Sequence, residues 1–288
     1  MNTLTAPVST TSPAETPMGS HVPLTASSAR LTQWLLGSRH HHHPADRILG
    51  QRLLRAAPWV GQAVELNHLY AHQTVSMLRE CGIRQFVDLG SGLPSDNPRF
   101  PSTAVSAGPD STVIHVDADP YVIEHGPQLL ETPARHRFVH ADLRRDMLRV
   151  LRDLPLHGLD PGRPTALLLH NVLPWINDDA DAHAIVGAAL DQAPPGSVLS
   201  LTHLTADLRR TGSAAAALCL DTAGLPVRLR TAAQIRDLIE DQPHPWRVRA
   251  PGIVPVGLYH PRQCRAPVPI GDSGAYAVIA IHPQPAHR

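Results

Sequence analysis

The chain has 288 residues, and its 25 basic and 25 acidic side chains give a formal net charge of +0. This length predicts one or two domains, and the balanced charge argues against nucleic acid or an anionic membrane surface as the main partner. No apolar run approaches the roughly 18 residues of a membrane-spanning helix, and every basic residue is Arg, which excludes chemistry that requires a Lys amine.

The first third of the chain is predicted to be helical, after a disordered tail. Residues 1–26 are rich in Ser, Thr and Pro and lack hydrophobic periodicity, which is typical of disorder. Helical patterns follow over 29–54, with a break near 39–44, and over 57–81. Residues 27–82 are therefore expected to form an N-terminal helical segment.

Beyond residue 82, short apolar runs alternate with amphipathic segments, which predicts an α/β fold with a parallel sheet covered on both faces. The predicted strands cover 85–89, 111–116, 136–140, 165–170, 197–201 and 274–282. Helix-length segments at 121–130, 143–154 and 180–192 separate the first five. The domain over 83–288 is expected to carry a helical and irregular insertion at about 205–270.

Each of the first five strands ends in or near a polar residue, at the edge where parallel sheets bind ligands. These residues are Asp88, Asp117, Asp142, Asn171 and His203.

Glycines follow the first strand, in the sequence Gly90-Ser-Gly92. They allow a ligand to approach the backbone closely, although a tight turn without a ligand has the same pattern. A dinucleotide site would favour a third Gly at the position of Ser95. The turn also lacks a cluster of basic residues that could bind a phosphate.

Acidic residues close the second and third strands. Asp117 is placed to accept hydrogen bonds from two ribose hydroxyls, whereas Asp119 precedes Pro120 and fits a helix N-cap. Asp142 fits either an adenine amino group or a second N-cap. In order after the Gly-x-Gly turn, these carboxylates predict a site for an adenine nucleoside without phosphate, and S-adenosylmethionine is the common cofactor of that kind.

At this point the sequence resembles the S-adenosylmethionine-dependent methyltransferase-like proteins common in actinomycetes, over about residues 29–282. The resemblance is strongest at Gly82 to Pro94 and weakest at Pro251 to Pro255. The other stretches that carry it are Ala29-Arg30, Leu35 to Gly37, Pro44 to Arg47, Asn67, Val116 to Pro120, His140 to Arg144, Pro194 to Ser197 and Thr202 to Thr205.

The resemblance implies a seven-stranded, mostly parallel, Rossmann-like sheet and a role for each matching residue. Asp88, Gly90 and Gly92 would contact the methionine part of the cofactor. Asp117 would hold the ribose, and Asp142 with Leu143 the adenine. Asn171 and Val172 would flank the sulfonium. Residues 27–82 would form an N-terminal helical lid over the cofactor, with Arg30 and Asn67 facing inward.

Three stretches depart from the family pattern: the histidine-rich turn at 38–43, His68 in place of an Arg, and Pro174-Trp175 in place of His-Phe. They lie in the lid and beside the sulfonium, so they bear on the reaction more than on cofactor binding. The favoured function is methyl transfer to a small molecule in secondary metabolism. The alternatives are a cyclase, which would form azetidine-2-carboxylate and methylthioadenosine from the cofactor alone, and a cofactor-binding regulator or scaffold.

Candidate catalytic residues are Asn171, His203 and Trp175. His203 fits a general base with a near-neutral pKa or a buried structural histidine, and Trp175, like Trp34, fits a cation–π contact with the sulfonium or plain packing. The run His40 to His43 fits a solvated loop better than a metal site, so no metal is expected. Three distant cysteines and the lack of a signal peptide predict a cytoplasmic protein; its oligomeric state is left open.

Overall fold

A computed structural model describes residues 25–38, 42–130, 135–208, 210–242, 246–259 and 273–284. The predicted disordered tail at 1–26 lies almost entirely outside the described residues, as do His40 and His41. Among the helices in the described ranges, none is long and apolar enough to cross a membrane.

Three helices form the N-terminal segment, as the hydrophobic periodicity predicts. They are α1 (Ser28–Leu35), α2 (Pro44–Ala56) and α3 (Val60–Glu80). Ser27 caps α1 through its side chain, and Pro44 occupies the first turn of α2, where a missing N–H costs nothing. The α3 helix packs on one face of the sheet through Tyr70, Val75 and Leu78.

The sheet is predominantly parallel, and its strands alternate with helices as predicted. Its strands are β1 (Gln85–Leu89), β2 (Thr112–Asp117), β3 (His136–His140), β4 (Ala166–His170), β5 (Val198–Leu204), β6 (Arg247–Val248), β7 (Val254–Pro255) and β8 (Ala275–Ile281). The order within the described chain is β3-β2-β1-β4-β5-β8-β6, with β7 paired beside β8. Neighbours among β1 to β5 are parallel, and β8 is antiparallel to its partners.

Helices cover both faces because alternate side chains of each strand point to opposite faces and both are buried. In β1, Phe86 belongs to the core beneath α3, and Val87 to the core on the other face. The remaining helices are α4 (Thr103–Ala107), α5 (Pro120–His125), α6 (Leu143–Asp153), α7 (Asp179–Gln192), α8 (Arg210–Thr222) and α9 (Ala232–Glu240).

The predicted fold class and mostly parallel sheet are confirmed, and the structure adds detail that the sequence did not predict. The stretch expected to be a helical and irregular insertion at 205–270 also supplies β6 and β7, which pair with β8. The five-residue helix α4 was not predicted, because its sequence TAVSA is too short to show a period.

Candidate functional site

A cavity of about 320 Å³ lies at the carboxyl ends of β1 to β4. Strand-end loops form one side of it, and side chains from α1, α3 and α8 form the other. The cavity brings together most of the predicted site residues. Those that line it are Asn67, Gly90, Gly92, Asp117, Asp142, Leu143, Asn171, Val172 and Trp175.

The turn after β1 has a backbone that only glycine adopts without strain. Gly90 has φ +69° and Gly92 has φ +63°. A Cβ at Gly90 would lie 2.7 Å from both methyl carbons of Val172, whereas one at Gly92 would meet nothing within 4 Å. The N–H groups of Gly90 and Ser91 donate to the carbonyl of Val116, at 2.7 and 3.0 Å. These N–H groups are thus engaged within the protein, which does not suit a phosphate cradle.

The two acidic residues after β2 have different roles. Asp117 accepts through Oδ2 from the N–H of Gly92, at 2.8 Å, and through Oδ1 from the N–H of Asp119, at 2.9 Å. Burial raises the pKa of the Asp117 carboxyl, although these two hydrogen bonds oppose the shift. Asp119 caps α5 by accepting from the N–H of Tyr121, at 2.9 Å, and it also accepts from the hydroxyl of Ser27, at 2.6 Å.

At the end of β3, Asp142 is both a helix cap and part of the cavity wall. Its Oδ1 accepts from the N–H of Arg144, at 3.1 Å, and its carboxylate receives the Arg144 guanidinium, at 2.7 Å for the shortest contact. This guanidinium lowers the pKa of Asp142 below its ordinary value. Leu143 occupies the first position of α6, where a backbone N–H has no intrahelical acceptor.

The loop after β4 brings Asn171, whose side-chain oxygen is buried and unpaired, to the cavity wall. Asn171 has φ +58°, a left-handed conformation that Asn tolerates better than most residues. Its backbone N–H donates to the carbonyl of Thr202, at 3.0 Å, while its buried Oδ1 has no hydrogen-bond partner. Such an oxygen costs free energy unless a ligand satisfies it. Val172 and Trp175 follow on the same wall.

A smaller cavity of about 70 Å³ adjoins the first and contains the Asp88 side chain. Burial acts to raise the pKa of Asp88, but the imidazole of His115, 3.8 Å away, and the Thr103 hydroxyl outweigh it, so the pKa lies below its ordinary value. His68 and His170 line both cavities. Burial lowers the pKa of His68, and it lowers that of His170 to about 4.

Two predicted site residues lie outside the lining of both cavities. The Arg30 guanidinium is buried and donates to Asp46 at 2.9 Å, which ties α1 to α2, so this Arg does not face the cavity as expected. His203 is fully buried beneath Arg230, whose Nη1 lies 3.0 Å from Nε2 of the imidazole. Burial lowers the pKa of His203 to about 3, which disagrees with the near-neutral value of a general base.

In the described part of the histidine-rich turn, His42 and His43 make contacts within the chain. The backbone N–H of His43 donates to Asp46 at 2.7 Å, and Nε2 of His42 lies 3.1 Å from the carbonyl of Ser38. Across the described ranges, no three His, Cys, Asp or Glu side chains group as a metal site requires. Trp34 packs over Gly50 rather than lining the main cavity.

Sequence reasoning missed several residues of the cavity wall. His170 directly precedes Asn171 at the end of β4, so the strand-end rule could have found it. The contributions of α8 had no such signal, because nothing in an alanine-rich helix indicates that it folds back over the strand ends. The α8 residues on the wall are Ser213, Ala216, Ala217 and Leu220.

Comparison with known proteins agrees with this geometry. A family model described as S-adenosyl methyltransferase matches residues 18–283. A DUF574 family protein from Streptomyces avermitilis is 30% identical, with a TM-score of 0.80 over 90% of this chain and 98% of its own. A crystal structure from Thermobifida fusca, provisionally named a methyltransferase, is 28% identical, with a TM-score of 0.78 over 90% of this chain and 96% of its own.

More distant or partial matches show less. A Mycolicibacterium gilvum protein, provisionally named an S-adenosyl-L-methionine-dependent methyltransferase, is 34% identical over 133 residues, which cover 44% of this chain and 41% of that protein. The chain thus matches less than half the length of this curated relative. An O-methyltransferase family protein from Burkholderia thailandensis is 16% identical, covers 74% of this chain and 55% of its own, and has a TM-score of 0.50; it shows the fold alone.

The fold and the strand-end site define an α/β protein that binds an adenosine-type cofactor. The chain belongs to the S-adenosyl methyltransferase family, and the cofactor of that family is S-adenosylmethionine.

Proposed function

We propose that the protein transfers the methyl group of S-adenosylmethionine to a small molecule. The observation that carries this proposal is one continuous cavity that runs from the strand-end carboxylates past Asn171 to the wall formed by α8. An acceptor would approach the cofactor from the side of the cavity that the lid helices and α8 form. When bound, S-adenosylmethionine supplies an electrophilic methyl carbon, whose bond to sulfur breaks with the electron pair staying on sulfur.

The residues present fit this cofactor. Asp117 would accept hydrogen bonds from the ribose hydroxyls, while the Asp142 carboxylate and the N–H of Leu143 would bind the amino group and a ring nitrogen of adenine. The open space above Gly92 would leave room for the methionine part, and the buried carboxylate of Asp88 would attract its ammonium group. The unpaired Oδ1 of Asn171 would stabilise positive charge at the sulfonium.

His68 is the proposed proton acceptor, in place of His203. Its Nδ1 lies 3.3 Å from the carbonyl of Val64. Because a carbonyl only accepts, Nδ1 carries the proton and Nε2 keeps a lone pair. Burial lowers the pKa of His68, which weakens the imidazole as a base, so the proposal rests on the place of His68 in the lining of both cavities.

Product analysis tests the proposal against the cyclase alternative. Purified protein is incubated with S-adenosylmethionine, alone and with a panel of small-molecule acceptors, and the nucleoside products are quantified by mass spectrometry. S-adenosylhomocysteine that forms only with an acceptor supports methyl transfer. Methylthioadenosine that forms without acceptor, above the spontaneous background and not in Asp117→Ala, would establish the cyclase. Tight binding without any product would indicate a regulator or scaffold.

A further inference from the structure

The far end of the main cavity, beyond the cofactor-binding residues, is an apolar chamber. We call it the acceptor chamber, and it lies between the lid helices and α8. Its principal wall residues are Leu53, Trp59, Val60, Ala216, Ala217 and Leu220. They extend a buried hydrophobic cluster that joins α1, α2 and α8.

Two glycines fix the aromatic wall of the acceptor chamber. A Cβ at Gly212 would lie 2.6 Å from Nε1 of Trp59. A Cβ at Gly274 would lie 2.4 Å from Cζ3 in the six-membered ring of the same indole. The Trp59 ring is thus wedged between α8 and the start of β8. A ring held in this way offers a preformed apolar surface rather than one that must be ordered on binding.

The acceptor chamber holds no charge in the part of the chain that the structure describes. The titratable side chains that line the main cavity are His68, which is the proposed proton acceptor, and four that lie at or just beyond the strand ends, namely Asp117, Asp142, Arg144 and His170. Two hydroxyl residues lie near the chamber, Thr205 and Ser213, and both have partners in the chain. Ser213 donates to the carbonyl of Thr205 at 3.2 Å, and Thr205 Oγ1 accepts from the N–H of Asp207 at 3.1 Å.

A charged molecule in the acceptor chamber would lose its hydration and meet no opposite charge there, with the unpartnered indole N–H of Trp59 as a neutral donor, and this strongly disfavours its binding. An apolar ring, by contrast, gains free energy by leaving water and by packing against an indole. We propose that the acceptor is an uncharged, largely apolar, ring-containing small molecule. This inference rests on the proposed function, because only a methyltransferase has an acceptor. The binding preference of the chamber is nevertheless measurable without turnover.

Three probes that share a naphthalene ring and differ in the charge of one substituent test the charge preference. The probes are 2-naphthol, 2-naphthoate and 2-naphthylmethylammonium, which are neutral, anionic and cationic at neutral pH. Their affinities are measured by calorimetry with the cofactor-free protein and with protein saturated with S-adenosylhomocysteine. We expect 2-naphthol to bind at least about tenfold more tightly than either ion, a difference of about 1.4 kcal/mol. Equal or tighter binding of either ion would overturn the inference.

Substitutions on α8 localise the binding. Ala217→Phe fills the acceptor chamber and should weaken 2-naphthol binding at least tenfold, with little change in affinity for S-adenosylhomocysteine. Ala214→Phe, the same change on the exposed face of the helix, should leave both affinities unchanged. An unchanged affinity of Ala217→Phe for 2-naphthol would place the probe elsewhere and contradict the inference.

A substitution that is expected to tighten binding distinguishes a specific effect from misfolding of the variant. Ala217→Asp places a carboxylate in the acceptor chamber and should tighten the binding of 2-naphthylmethylammonium at least tenfold, which unfolding cannot do. The absence of that gain in a folded variant would count against the chamber. Failure to bind S-adenosylhomocysteine would instead remove the proposed function, and the cofactor-free titrations would still decide the preference of the chamber.

Discussion

Asp117 and Asp119 are two residues apart, and the structure gives them separable tasks. Asp117 faces the cavity and holds the turn at Gly92, whereas Asp119 caps α5. We expect Asp117→Ala to weaken the binding of S-adenosylhomocysteine by roughly ten- to a hundredfold, since each factor of ten is about 1.4 kcal/mol. Asp119→Ala should mainly lower the free energy of unfolding, by about 0.5–2 kcal/mol for the lost cap.

Calorimetry and urea denaturation of both variants separate these effects. Both variants should lose stability, because Asp117→Ala also leaves the N–H groups of Gly92 and Asp119 without their acceptor, but only Asp117→Ala should lose affinity. If Asp119→Ala lost the affinity and Asp117→Ala only the stability, the assignment of the two carboxylates would be reversed.

Gly92 offers a second comparison at the level of single residues. Gly92→Ala strains a left-handed backbone by roughly 1–2 kcal/mol and directs a methyl group into the open space of the cavity. Gly82→Ala is its matched control, because Gly82 has φ +97°, meets nothing within 4 Å and lies outside both cavities. Gly82→Ala should lose at least as much stability, since its φ of +97° lies farther from the left-handed minimum than the +63° of Gly92, but only Gly92→Ala should lose cofactor affinity, by at least about tenfold. An equal affinity in calorimetry would mean that the cofactor does not approach this turn.

The helices before the sheet are expected to respond to the cofactor as a unit. Ala29 and Thr32 of α1 and Asn67 of α3 line the cavity, and the buried pair of Arg30 and Asp46 couples α1 to α2. Saturation at a hundred times Kd adds about 2.7 kcal/mol to any opening that must release the ligand. Amide exchange over 28–56 and 60–80 should therefore slow by up to about a hundredfold with S-adenosylhomocysteine.

The α9 helix provides an internal reference for that experiment. It packs against α7 and lines neither cavity, so its exchange should change little. Unchanged protection in the N-terminal helices would show that they are a fixed structural layer rather than a lid.

The spacing of apolar residues predicted most helices and strands, because each such element buries apolar side chains at regular intervals along one contiguous stretch of sequence. The carboxyl ends of parallel strands then share one edge, which is why the sequence could predict that Asp117, Asp142 and Asn171 lie on one cavity. Contacts between distant segments have no such signature. The partners of Arg30 and His203 are Asp46 and Arg230, and neither pairing can be read from local sequence.

At the scale of the whole molecule, buried imidazoles make the free energy of unfolding depend on pH in mildly acidic solution. Burial lowers the pKa of His136 and of His170 to about 4, and that of His203 to about 3. An unfolded imidazole has a pKa of about 6.5. As the pH falls below that value, the unfolded chain takes up protons that the folded chain does not, so the free energy of unfolding decreases. The decrease continues down to the folded pKa values.

Urea denaturation between pH 7 and pH 5 should therefore show stability falling with acidity, above the range in which unfolded carboxyl groups titrate. Each buried imidazole contributes up to about 1.4 kcal/mol per pH unit. His203→Gln keeps an acceptor for Arg230 but removes one titrating group, so its slope between pH 6 and pH 5 should be shallower by about that amount. His140→Gln, the same substitution at an exposed position, is the control. An unchanged slope in His203→Gln would show that this imidazole is protonated in the folded chain, and would reopen its assignment as a base.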